Sequence, residues 1–129
     1  MNIYGIGTDI VSIKRIKSSL KKRNFIKRIY NEQEVIKCKR AVNRHNCYAK
    51  RFAAKEAFSK ALGTGISNGI NFNEITVSNN KSGKPYINLK GDTKKKIKKM
   101  FKQKKTKISL SLSDEKDYAV AFVTISLWK

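Results

Sequence analysis

Histidine occurs once in this 129-residue chain, cysteine twice, and acidic residues only nine times. Each shortage excludes something. A lone His45 argues against a His-based triad and against a zinc centre. Cys38 and Cys47 have neither a metal nor a redox spacing and do not make a disulfide framework, so both are read as reduced thiols. No apolar run approaches the ~20 residues needed to cross a bilayer. The opening MNIYGIGTDI lacks the basic-then-apolar layout of a secretion signal, so a cytoplasmic protein is expected.

What is present in excess is positive charge. Thirty Lys and Arg against nine Asp and Glu give a net charge of +21. Such a surface expects an acidic partner: nucleic acid, anionic lipid, a phosphorylated metabolite or an acidic protein. The lysines are spread over several elements, with neither a zinc-finger pattern nor an interleaved aromatic platform. A nucleic-acid-binding module is therefore the alternative reading rather than the first one. The length and an apolar fraction of 40% suit one folded domain over residues 1–129.

Periodicity gives an α+β outline. Residues 3–10 alternate as a strand, with Tyr4, Ile6, Thr8 and Ile10 on one face and Gly5, Gly7 and Asp9 on the other. The two glycines leave that second face open either to a ligand or to close helix packing. Ser12 is placed to cap a helix to about Leu20, and NEQE at residues 31–34 has the form of a capping box. A long helix is expected from about Tyr48 to Leu62, stopped by the glycines of GTG. Residues 72–78 and 86–89 read as a hairpin around NNKSG, with Pro85 at the entry to its second strand. Asp92 is the candidate cap of a lysine-rich helix. ISLSLS at residues 108–113 and YAVAFVTI at residues 118–125 form a second hairpin.

Most of the acids have positions suited to caps and turns, Glu32, Glu34, Asp92, Asp114, Glu115 and Asp117 among them. Asp9 and Glu56 differ, because each stands among small or apolar residues, one on a strand and one mid-helix. A carboxylate in such surroundings is costly unless it is paired or bound to a cation. Two carboxylates from separate elements suit Mg²⁺, and Lys60, one turn beyond Glu56, would meet a phosphate held there. Independent surface salt bridges, including a Glu56–Lys60 pair, are the competing reading.

The segment GIGTDIVSIKRI (5–16), followed by KRFAAKEAFSKALGTGI (50–66), resembles the holo-acyl-carrier-protein synthase family of 4′-phosphopantetheinyl transferases. NGINFNEITV, SGKPYINLKG and SLSDEKDYAVAFV resemble further blocks of that family in the right order. The resemblance implies helices packed on a small antiparallel sheet, usually in a homotrimer with coenzyme A between subunits. It implies transfer of phosphopantetheine from coenzyme A to a serine of apo-acyl-carrier protein for fatty-acid synthesis. Asp9 and Glu56 would then hold Mg²⁺, and Lys60 would lie near the pyrophosphate. Arg15 would meet the acidic carrier protein. Arg51, Lys84 and Pro85, with Gly63 and Gly65, would lie near coenzyme A, although C-capping alone also accounts for those glycines. Asp114 stands where many members have histidine; an ionised aspartate donates nothing to a phosphate, so no such role is assigned to it.

Overall fold

The computed structural model describes residues 1–63, 69–102 and 104–128. Strand β1 (Asn2–Ser12) pairs antiparallel with β5 (Tyr118–Trp128), which pairs antiparallel with β4 (Lys105–Asp114). A separate hairpin joins β2 (Ile75–Asn79) to β3 (Pro85–Leu89). The helices are α1 (Ile13–Ser19), α2 (Phe25–Ile29), α3 (Glu32–Arg40), α4 (Arg44–Leu62) and α5 (Gly91–Met100). The α+β class is as expected, although the strands form two small sheets rather than one.

Local chemistry sets most boundaries. The Ser12 hydroxyl accepts the Arg15 N–H and opens α1. Asn31 and Glu34 form the reciprocal capping box of α3. Gly63, left-handed at φ 80°, closes α4. Two features were not visible locally. Helix α2 has five residues, too few to show a period. Asp92 does not cap α5; the carboxylate at that helix start belongs to Glu74, which accepts the backbone N–H groups of Asp92 (3.0 Å) and Thr93 (3.2 Å).

Helix α4 is the centre of the molecule and lies against β1. A Cβ at Gly5 would collide with the Ala61 carbonyl, and one at Gly7 with the Ala57 carbonyl. The glycines are therefore packing residues, matched by buried Ala53, Ala54, Ala57 and Ala61 on the helix. Along β5 the inward residues Ala119, Ala121, Val123 and Ile125 complete this core. The opposite face of the sheet is open: Ile6, Ile10 and Phe122 are exposed, with Ser111 directly opposite Phe122 on β4.

The other side of α4 holds a buried ion pair. Lys55 and Glu34 are 0% and 1% exposed. The Lys55 ammonium donates to Glu34 Oε1 (2.6 Å) and to the carbonyls of Ile29 (2.8 Å), Phe72 (2.8 Å) and Ile75 (2.7 Å). Glu34 Oε2 accepts the Val77 N–H at 2.9 Å. Burial pulls the Lys55 ammonium down to about 8 while Glu34 pulls it back, so it stays charged at neutral pH. One side chain thereby satisfies the ends of α2, the turn at Phe72–Glu74 and the start of β2 together.

The reading of Cys38 and Cys47 as separate thiols is corrected. They form a disulfide between the last turn of α3 and the first turn of α4, with Cα atoms 5.3 Å apart. The connection between the two helices is three residues long, and this return brings together two cysteines whose spacing along the chain looks unremarkable.

Lys55→Met is expected to lower stability by about 3–5 kcal/mol in urea unfolding, because Glu34 is left buried and unpaired. The double variant Lys55→Met, Glu34→Leu should recover much of that loss. A single-variant loss within 1 kcal/mol or so of zero would contradict the role given to the pair.

Candidate active site

The close approach of α4 to β1 brings the three predicted residues together. Asp9 follows Gly5 and Gly7 at two-residue intervals on the face of β1 toward the helix, and Glu56 and Lys60 stand one turn apart on α4. Lys60 donates to Asp9 Oδ1 at 3.1 Å and to the Thr8 carbonyl at 3.0 Å. The lysine thus pairs across elements and not with Glu56, as a helical surface pair would. Glu56 is half-buried and has no hydrogen bond or ion pair among the described residues. Burial raises its pKa first and the Asp9 charge second, while Lys60 and Arg15 pull it back. An unpartnered half-buried carboxylate beside a second carboxylate suits a hard divalent cation. No cluster of three or more His, Cys, Asp or Glu is present among the described residues, so this chain would supply a cation with two protein ligands.

Arg15 on α1 is one of the charges felt by Glu56. This brings a residue expected to dock the carrier protein within electrostatic reach of Glu56.

The residues expected around coenzyme A separate into two clefts beside the β2–β3 hairpin. Arg51 lines one of about 580 Å³, with Lys37, Lys50, Lys81, Asn79 and Asp114. It donates to Asn79 Oδ1 (3.3 Å) and to the Cys47 carbonyl (3.4 Å) and Sγ (3.2 Å), yet its buried Nε–H has no partner. Asp114 accepts from Asn46 (2.8 Å) and pairs with Lys50 (3.5 Å). Lys84 and Pro85 line a different cleft of about 470 Å³, with Tyr86, Ser109, Ser111 and Phe122. Gly63 sits in open space as a C-cap, and Gly65 lies outside the described residues. A third cleft of about 660 Å³ between β3, α5 and β4 contains none of the predicted site residues.

A family model for the 4′-phosphopantetheinyl transferase superfamily matches residues 5–123. The chain belongs to this superfamily. Among its relatives, a holo-[acyl-carrier-protein] synthase of Pelagibacter ubique is 50% identical over 125 residues, covering 97% of this chain and 98% of that protein. One of Vibrio campbellii is 47% identical over 125 residues, with 95% and 97% covered. The crystal structure of the Neisseria meningitidis synthase superposes with a TM-score of 0.83 at 41% identity, covering 96% of this chain and 98% of that one. The Helicobacter pylori synthase in complex with coenzyme A gives 0.78 at 33% identity, with 94% and 99% covered. The fold of this transferase superfamily is thus shared along nearly the whole chain.

The residue the sequence reading overlooked is Lys55. The signal was there: Tyr48, Lys55 and Leu62 recur every seven residues along α4, and all three are buried. A lysine in the middle of such a stripe needs an acceptor in the core.

Carboxyl-detected NMR titration should place Glu56 above the ordinary carboxylate range. Asp9→Asn should move its midpoint down, since a repelling charge is lost, and Lys60→Ala should move it up. Because a cation needs the ionised form, Mg²⁺ affinity should fall as pH is lowered through that midpoint. A Glu56 midpoint unmoved by Asp9→Asn would mean that the carboxylates do not share a site.

Proposed function

We propose that this chain transfers the 4′-phosphopantetheine group of coenzyme A to a serine hydroxyl of an apo-acyl-carrier protein, yielding the holo protein and adenosine 3′,5′-bisphosphate for fatty-acid synthesis. The observation that carries the reading is the meeting of Asp9, Glu56 and Lys60 in a member of the phosphopantetheinyl transferase superfamily. Two relatives with closely similar folds, from Bacillus anthracis and Helicobacter pylori, were solved in complex with coenzyme A, which supports coenzyme A as donor.

Asp9 and Glu56 would hold Mg²⁺. Bound there, the ion would offset charge on the pyrophosphate oxygens. Lys60, one helical turn from Glu56 and paired with Asp9, would add a cation for the leaving phosphate. The serine oxygen attacks the β-phosphorus, the bond to the bridging pyrophosphate oxygen breaks, and adenosine 3′,5′-bisphosphate departs with that oxygen. The serine proton goes to a carboxylate of the pair or to water. Arg51 would set its guanidinium charge at the wall of the first cleft for the anionic nucleotide end of coenzyme A. Lys84 and Pro85 would contact coenzyme A from the second cleft, and Gly63 and Gly65 from the end of α4.

Arg15 would dock the acidic carrier protein, and the +21 charge serves both polyanionic partners without invoking nucleic acid. The open sheet face with Ile6, Ile10 and Phe122 suits burial against further copies of the chain. A homotrimer would let the Arg51 cleft of one copy meet the Lys84 cleft of its neighbour. We read residues 1–129 as one transferase domain working in the cytoplasm.

Incubation with apo-acyl-carrier protein, coenzyme A and Mg²⁺ should add one phosphopantetheine group by mass spectrometry, and EDTA should prevent it. Glu56→Gln should lose at least about a hundredfold in turnover with its fold retained. Arg15→Ala should raise the KM for carrier protein more than that for coenzyme A. Unaltered turnover in Glu56→Gln would remove that residue from the site.

A further inference from the structure

We propose that Cys38 and Cys47 form a reversible thiol–disulfide site whose oxidation state sets how strongly Arg51 binds an adenosine bisphosphate group. The inference rests on the coenzyme A reading and adds a control to it. Three observations support it. The two cysteines are bonded between α3 and α4, Cys38 fully buried and Cys47 lining the Arg51 cleft. An attacking thiolate therefore reaches the disulfide from the same cavity that would receive the nucleotide. Arg51 Nη1 donates to Cys47 Sγ at 3.2 Å and to the Cys47 carbonyl, so sulfur and guanidinium are already in contact. Arg51 also holds Asn79 on the β2–β3 hairpin, and its Nε–H is unpaired.

The chemistry balances with a thiol reductant. The reductant's thiolate bonds to Cys47 Sγ, and Cys38 leaves as a thiolate that takes a proton. A second reductant thiolate attacks the outer sulfur of the mixed disulfide, and Cys47 leaves as a thiolate beside Arg51. Two reductant thiols become one disulfide, and the protein gains two thiol groups. An adjacent guanidinium favours the thiolate form of Cys47 and its role as leaving group. In the disulfide, sulfur is neutral and the charge of Arg51, which lines the cleft, is uncompensated by Cys47. In the dithiol, the Cys47 thiolate neutralises it. A thiol reductant thus converts the disulfide of the structure to the dithiol and weakens nucleotide binding, and reoxidation by a disulfide or a peroxide restores it.

The test is calorimetric titration of the full chain with adenosine 3′,5′-bisphosphate, which carries no thiol. It is run on the oxidised protein and on protein reduced with dithiothreitol, the cysteine state being read by mass spectrometry. Reduced protein should bind about tenfold more weakly, the loss of one charge-assisted contact. Cys38→Ser keeps the Cys47 thiol and should bind weakly in either medium. Cys47→Ser cannot form the thiolate and should lose the dependence on reductant, at higher affinity than Cys38→Ser. If the two variants behave alike, the disulfide acts only as a brace, and the proposal is overturned. Equal affinity of the oxidised and reduced wild type, or failure of the pair to oxidise, overturns it while leaving coenzyme A binding standing. Absence of binding in both forms overturns both readings.

Discussion

Helix α4 can serve two unlike purposes because it touches β1 without side chains between them. Gly5 and Gly7 offer no Cβ, the helix answers with Ala57 and Ala61, and the two backbones come into contact. Everything at the candidate site follows from this distance. Lys60 reaches both Asp9 and the Thr8 carbonyl only because the strand is so near. A single methyl at Gly7 would push the helix off, and Asp9 would lose its neighbours.

The two sides of α4 handle charge in opposite ways. Toward the hairpin, Lys55 is dry and its ammonium is surrounded by one carboxylate and three carbonyls. Such a pair contributes little net stability over apolar side chains, but it fixes which elements meet. Toward β1, Glu56 is left without a donor and is pushed toward its neutral form by burial and Asp9. The first arrangement is closed to any ligand. The second has capacity left over, which is what a cation site needs. Adjacent positions along one helix thus separate structure from chemistry, Lys55 fully buried and Glu56 half-buried beside Asp9.

How much of this was legible depends on how local the cause is. The Asn31–Glu34 capping box, the Ser12 cap and the Gly63 stop are encoded within a few residues and were read correctly. The Asp9, Glu56 and Lys60 set was readable because carboxylates among small residues need a reason, and the family resemblance joined two distant segments. What stayed hidden rests on contacts between residues far apart in sequence. Glu34 looked like a cap residue and is one, but its second role depends on Lys55, 21 residues on. Glu74 caps α5 across 18 residues, where Asp92 seemed sufficient. The cysteine pair needed the α3–α4 return, and α2 is too short for periodicity to reveal. The division of Arg51 from Lys84 and Pro85 between two clefts also depends on how the hairpin lies against α4.

The central claim is that Asp9 and Glu56 form one divalent cation site. Crystals grown with Mn²⁺ in place of Mg²⁺ would test it most directly, through the anomalous scattering of the metal. One peak within bonding distance of both carboxylates, with Lys60 released from Asp9, is the predicted result. A peak elsewhere on the chain, or none beside an intact Lys60–Asp9 pair at saturating Mn²⁺, would contradict the account.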